Sequence, residues 1–269
     1  MDTLKEEKMP KISVIMGVYN CESTIRQSIQ SIINQSFSDW EFIICDDGSK
    51  DKTVCYIKEI AKHEPRIILL QNKENKGLSY SLNKCIKYVK GVYCARMDGD
   101  DFCSPDRFKI QMDFLDNNDE YGFVSTTMNR FDENGVYQHG EIEKSYSPTN
   151  RDFVKGSPFC HAPTMFRTNV LHLVNGYRDI DKTRGVEDYD LWFRLYGIGV
   201  KGFVLKYSLY NMFDGRDAGK RRTFRRRMNE AWVRWNGYKL LDIPLFLRIY
   251  TLKPLLIGLI PQWLYKMIR

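Results

Sequence analysis

Ile12-Ser-Val-Ile-Met-Gly-Val-Tyr-Asn20 is an apolar, β-branched run that ends on two polar-tipped side chains, and Ile25, Ile29, Ile32 and Ile33 follow it at helical spacing. A short apolar run and then a three-to-four periodicity reads as a strand followed by an amphipathic helix. The same alternation continues outward from this unit. Phe42–Cys45 is strand-like, Thr53–Lys62 helix-like, Ile67–Leu70 strand-like, Leu78–Val89 helix-like and Val92–Met97 strand-like. Strands separated by single helices predict βαβ units and therefore an α/β protein with a mostly parallel sheet flanked by helices on both faces. Ser104-Pro105-Asp106 then predicts a capped helix start running to about Leu115, with Ser104 at the N-cap. Further on, Phe123–Met128 reads as a strand, 132–148 as a loop or hairpin, and a helix opens near Glu187 ahead of short strands that reach Tyr210.

The chain has 269 residues, with 43% hydrophobic and 28% charged, which excludes disordered and low-complexity classes and suits one large domain with an appendage. Its net charge of +7 is unevenly placed. Residues 216–269 carry 13 Lys or Arg against 3 Asp or Glu, a local +10, which leaves the first 215 residues at −3. This predicts a body over 1–215 and a basic, aromatic, helical tail over 216–269. Seven cysteines without CxxC spacing argue against a disulfide framework or a zinc site and suit a reducing cytoplasm. The N-terminus shows no secretory signal pattern. The longest uncharged run of the tail, Pro254–Tyr265, is too short to span a bilayer and is broken by Pro261.

Ligands of open parallel sheets bind at the carboxyl ends of the strands, so the polar residues there are informative. The first strand ends in Tyr19-Asn20, the second in Asp46-Asp47-Gly48-Ser49, and the strand near residue 95 in Asp98-Gly99-Asp100-Asp101. Five carboxylates on one rim repel one another unless a cation or hydrogen-bond donors offset them. Oxygen-only ligands favour Mn²⁺ or Mg²⁺ over zinc. Taken singly, each cluster also fits a turn or helix cap, since Asp and Gly are common turn formers. An EF-hand is excluded because Cys103 stands where that loop needs glycine, and neither GxGxxG after the first strand nor GxxxxGK[ST] occurs.

Six segments in order resemble family 2 glycosyltransferases of the GT-A fold. They are Ile12–Asn20, Asp46-Asp47-Gly48-Ser49, Asn75-Lys76-Gly77, Arg96–Asp101, His161–Arg167 and Glu187-Asp188-Tyr189-Asp190-Leu191-Trp192. The resemblance covers roughly residues 10–210. The tail segment Arg248–Leu256 is similar to that of amylovoran-type exopolysaccharide transferases. It implies a Rossmann-like GT-A domain and inverting transfer of one sugar from a nucleotide diphosphate, with UDP the usual carrier, to an acceptor hydroxyl. Carried onto this chain, it makes Asp100 the metal ligand and Asp98 a ribose or metal-water contact. Asp47, with Asp46, contacts the nucleoside, and Tyr19, Asn20 and Arg96 line the nucleotide pocket. Asp188 becomes the base and Glu187 a holder of acceptor or donor sugar. A base is chemically required, because the attacking hydroxyl must lose its proton. Outside that match, an acidic pair at a helix start would serve only the helix dipole, Trp192 reads as core in preference to a sugar-facing platform, and His161 as a structural hydrogen-bonder or a phosphate or metal contact. The QxxRW motif of processive synthases is absent, and the nearest segment, Ala231-Trp232-Val233-Arg234-Trp235, lacks its Gln.

In the tail, seven Lys or Arg within 216–227 precede Trp232, Trp235 and Tyr238. Basic residues interleaved with aromatics suit nucleic acid or an anionic membrane. The apolar clusters Ile243–Leu247 and Leu255–Leu264 favour the membrane, since nucleic acid offers them nothing to bury in. The expectation is a peripheral protein on the inner face of the cell membrane, acting on a lipid-linked oligosaccharide. The alternative is that the tail folds back and completes the core. Two other classes share the expected fold: a sugar-1-phosphate nucleotidyltransferase, which should carry a Gly-rich, Arg-containing loop after its first strand, and a non-catalytic nucleotide or glycan binder.

Overall fold

The computed structural model describes residues 9–215 and 223–259. The first half alternates as its periodicity predicts: β1 Ile12–Val18, α1 Ile25–Ile33, β2 Trp40–Asp46, α2 Thr53–Ala61, β3 Ile67–Gln71, α3 Leu78–Ile86 and β4 Tyr93–Arg96. Then come β5 Phe102–Cys103, α4 Arg107–Asp116, β6 Tyr121–Asp132, β7 Gly135–Gln138, α5 Asp152–Lys155, β8 Met165–Arg167 and α6 Thr168–Leu173. The chain continues through α7 Glu187–Gly197, β9 Lys201–Phe213, α8 Phe224–Leu240, a 3-10 helix Leu245–Leu252 and α9 Lys253–Gly258.

The strands form one sheet in the order β3-β2-β1-β4-β8-β6-β9-β5, with β7 as a hairpin partner of β6. β3, β2, β1 and β4 are parallel, β8 is antiparallel to both β4 and β6, and β6 is parallel to β9. Side chains alternate across β1 and β2 and divide the core in two. Ile15, Ile43 and Cys45 join Leu82 and Cys85 of α3 and the aromatic packing under α7 on one face. Val14, Met16, Phe42 and Ile44 join Ile25, Ile29 and Ile32 of α1 and Phe108 and Leu115 of α4 on the other. Burial on both faces is why the parallel strands read as continuous apolar runs.

Three elements differ from the sequence reading. The short strands expected before Tyr210 are one 13-residue strand, β9. The cap of α4 is Asp106 rather than Ser104, and no side-chain bond caps it. The tail, finally, is not wholly a surface element. α8 lies against α7, burying Val233, Arg234 and Tyr238 in the core of the body, with Phe193 meeting Tyr238 at 5.9 Å between ring centroids. Arg234 is tolerated there because its guanidinium donates to Glu230, to the Tyr238 hydroxyl and to the Val154 carbonyl. The basic stretch 216–222 and residues 260–269 lie outside the described residues, as does the body–tail boundary expected at 215/216.

Candidate active site

The parallel register sets the ends of three strands side by side: Val18 pairs with Asp46, and Ile15 with Arg96. Backbone beyond these positions is tied across the rim. The Asn20 N–H donates to Ser49 Oγ at 2.9 Å, the Lys50 N–H to Asn20 Oδ1 at 2.9 Å, and the Cys21 N–H to Thr53 Oγ1 at 2.7 Å. Asn20 takes the left-handed conformation, φ 52°, that asparagine tolerates better than most residues. Tyr19 is 44% exposed and stands on the rim rather than in the core.

Both carboxylates of the second strand's end are buried. Asp46 accepts from the Gly48 and Ser49 N–H groups at 3.1 Å and so shapes the turn that follows, while its other oxygen has no partner among the described residues. Asp47 accepts from Asn72 Nδ2 and from the Lys76 and Gly77 N–H groups at 2.7–2.9 Å, which pins the Asn75-Lys76-Gly77 segment to the rim. Gly48 makes this fit possible. It has φ +78°, and a Cβ there would sit 2.8 Å from the Glu74 carbonyl carbon.

The third strand end gathers the acidic residues. One carboxylate oxygen from each of Asp98, Asp100 and Asp101 lies within 4.8 Å of the others. The loop is held from below by α1, through Thr24 Oγ1 to the Gly99 carbonyl at 2.8 Å and Ser28 Oγ to the Asp101 carbonyl at 2.5 Å. It is held from the side by β9, where the Phe213 N–H donates to Asp101 Oδ1 at 2.7 Å. Burial, reinforced by the charges of Asp98 and Asp100, pushes the Asp101 carboxyl well above the usual range. An all-oxygen group of three mutually repelling carboxylates fits a hard divalent cation such as Mn²⁺ or Mg²⁺. Asp101 had no assigned role in the sequence, because the β9 backbone that orients it lies 112 residues away.

Arg96 links this cluster to the rest of the rim. It is buried and donates to Asp98 Oδ2 at 2.5 Å. Burial opposes its charge, but Asp98 outweighs that cost and holds the guanidinium protonated above its ordinary range. The same charge reaches Glu187 and Asp188 at the start of α7. Both of these half-buried acids titrate above the usual carboxylate range, chiefly through burial, with Asp188 adding to the rise at Glu187. Glu187 also accepts from the Gly185 N–H at 2.7 Å. Asp190, two residues on, is taken up by structure: Arg178 and Arg194 lie 3.1 and 2.7 Å from its oxygens. Trp192 is core, as expected, stacked on Phe123 with centroids 4.9 Å apart. His161 bonds the Tyr177 hydroxyl at 2.7 Å, and burial, aided by the Arg96 charge, holds its imidazole well below the usual range.

The rim therefore brings together Tyr19, Asn20, Asp46, Asp47, Arg96 and the acidic loop, and Arg96 brings Glu187 and Asp188 into the same electrostatic unit. This is the chain of a glycosyltransferase: residues 13–173 match the family described as glycosyl transferase family 2, and the chain belongs to that family. EpsE of Bacillus subtilis (strain 168) is 42% identical over 94% of this chain and 90% of its own. UDP-Glc:alpha-D-GlcNAc-diphosphoundecaprenol beta-1,3-glucosyltransferase WfaP of Escherichia coli is 30% identical over 72% of this chain and 73% of its own. Among solved structures, S. aureus TarS with UDP-GlcNAc superposes with a TM-score of 0.71 at 19% identity, covering 93% of this chain and 71% of that one. Mannosyltransferase PcManGT from Pyrobaculum calidifontis, with GDP-Man and Mn²⁺, gives 0.65 at 16% identity, covering 94% of this chain and 76% of that one. The fold is GT-A, as the sequence motifs implied.

Proposed function

We propose that this enzyme is an inverting hexosyltransferase that moves one sugar from a UDP-linked donor to a hydroxyl of a lipid-linked glycan during surface polysaccharide synthesis. The observation that carries the reading is the buried Arg96, which touches Asp98 of the acidic cluster and extends its charge to Glu187 and Asp188. Asp100, with Asp98 and Asp101 beside it, would hold Mn²⁺ or Mg²⁺, which supplies Lewis-acid neutralisation of the departing diphosphate. Tyr19, Asn20, Asp46 and Asp47 line the nucleoside end of the groove. Asp188 takes the proton of the acceptor hydroxyl as its oxygen bonds the anomeric carbon from the face opposite the diphosphate. The bond from that carbon to the diphosphate oxygen breaks, its electron pair leaves with the nucleotide, and the configuration inverts. Glu187 holds a sugar hydroxyl at the same rim.

The reading as a nucleotidyltransferase loses its support at the first strand's end, where Gly17-Val18-Tyr19-Asn20-Cys21 contains no Arg and no Gly-rich loop. The names of the relatives support the donor and acceptor classes: WfaP acts on UDP-Glc and a diphosphoundecaprenol-linked sugar, and TarS was crystallised with UDP-GlcNAc. Incubating the protein with Mn²⁺, synthetic polyprenyl-diphosphate sugars and a panel of UDP-, dTDP- and GDP-sugars, with product masses read by spectrometry, is expected to give one added hexose from a UDP-sugar. Addition from a dTDP- or GDP-sugar alone would replace the donor, and addition only to free glycans would remove the lipid from the acceptor.

The placement at a membrane rests on the last described segment. Leu245, Phe246 and Ile249 are 78%, 75% and 66% exposed, and Leu252, Leu256 and Leu259 continue the exposed apolar surface beside Arg248 and Lys253. No helix among the described residues is long and apolar enough to cross a membrane. A short apolar face bordered by cations suits an anionic bilayer surface. Full-length protein is expected to co-sediment with phosphatidylglycerol vesicles at low salt and less at high salt, and replacing Phe246 and Ile249 by Asp should cut binding about tenfold or more. Equal recovery of both proteins in the supernatant with every vesicle would make this face a protein interface instead.

A further inference from the structure

The turn that delivers Glu187 and Asp188 to the rim is held from the first turns of α8, beyond the segment matched to the family. Gly185 has φ +79°, and the side chain of Arg226 lies across it, with Cγ and Cδ 3.3 Å and Nε 3.5 Å from where a Cβ would stand. Asn229, buried one turn later, donates from Nδ2 to the carbonyls of Asp181 at 2.8 Å and Arg184 at 3.0 Å. The neighbouring arginines are engaged elsewhere: Arg225 stands 3.5 Å from Asp181, and Arg227 3.3 Å from Glu230. The charge of Arg226, in contrast, reaches Asp188 and favours its ionised form. We propose that Arg226 is a positioning residue for the transfer reaction: its stem seats the Gly185 turn that leads into Glu187 and Asp188, and its guanidinium brings a positive charge toward the base. This rests on the reading of Asp188 as the base. It also makes the C-terminal helix part of the active site rather than an appendage to it.

Charged and titratable groups act on Asp188 from several directions: Glu187 on α7 itself, Arg96 at the end of β4, Cys160 and Tyr177 from the loops, and Arg226 from α8. Only the last changes in an Arg226 variant. The full chain should be compared as wild type, Arg226→Ala, Arg226→Met, Arg226→Lys, Asp188→Asn and the double variant Arg226→Met/Asp188→Asn. The readouts are kcat, donor KM and the pH profile of kcat. Arg226→Ala is expected to lose about 10- to 100-fold in kcat with donor KM within about twofold. Arg226→Met keeps the stem, so a correctly folded protein is retained even if the Ala variant fails to fold. Its acidic limb should move to higher pH, because the ionised base has lost a favourable charge. Arg226→Lys should restore the limb, and Arg226→Met should cost nothing further once Asp188 is Asn. Wild-type kcat and an unmoved limb in Arg226→Met, or an equal further loss in the double variant, would overturn the proposal. Retained turnover in Asp188→Asn alone would instead overturn the reading of the base on which it stands.

Discussion

Asp100→Ala is expected to abolish divalent-cation-dependent binding of the nucleotide sugar and to lower turnover by at least ~10²-fold while leaving the fold intact. The expectation follows from the geometry of the acidic loop. Asp98 is already committed to Arg96 at 2.5 Å, and Asp101 accepts from the Phe213 backbone at 2.7 Å, so both are anchored by the protein itself. Asp100 is the member of the trio to which the family motif gives the cation. Removing it leaves the diphosphate facing uncompensated carboxylates, and a Lewis-acid contribution of several kcal/mol corresponds to two or more powers of ten in rate. The loop should survive, because Thr24 and Ser28 hold it through the carbonyls of Gly99 and Asp101. Calorimetric titration of the donor with and without Mn²⁺, alongside a thermal melt, checks both halves. Undiminished turnover in the variant with chelator present would end the assignment.

Asp188→Asn should bind donor normally and lose ~10²-fold or more in kcat, since the amide keeps the shape and removes the proton acceptor. The pH dependence has a definite sign. Burial raises the carboxyl of Asp188, and only its ionised form can accept a proton, so turnover should rise with pH through a limb above the ordinary carboxylate range. The neighbouring Glu187 is raised by burial and by the charge of Asp188, so the two acids titrate as a pair and the limb belongs to both. Asp188→Asn should flatten it. A variant that keeps wild-type kcat with an unchanged limb would move the base elsewhere on the rim.

Much of the rim is legible in the sequence, and the reason is specific to parallel strands. β1, β2 and β4 are buried on both faces, so each reads as a largely apolar run, and the polar residues at its carboxyl end mark the rim: Tyr19-Asn20 after Val18, Asp46-Asp47 after Cys45, and Arg96 and Asp98 after Ala95. The same logic fails in the mixed half of the sheet. β9 pairs with β6 through several register shifts, and Lys206 and Tyr207 at its middle are exposed, so the strand reads as fragments. The partner that buries Asp101 and the helix that seats Gly185 are equally invisible locally, because both come from remote chain. Arg226 lies in a stretch holding seven basic residues that reads as solvated or membrane-facing, and nothing in it marks which arginine packs over Gly185. Arg234 and Tyr238 give no local sign of their burial for a related reason: a basic, aromatic helix pattern does not show that its arginine is buried against Glu230 and Val154.

The proposed function makes the rim built by β1, β2, β4 and the start of α7 one cation-dependent sugar-transfer site. It is tested most directly by measuring nucleotide diphosphate release from UDP-sugars by the wild type, Asp100→Ala and Asp188→Asn side by side, each with Mn²⁺ and with chelator. Release by the wild type only with Mn²⁺, with both variants at background and Asp188→Asn still binding donor, is the predicted result. Equal release with chelator present, or wild-type release by either variant, would contradict it.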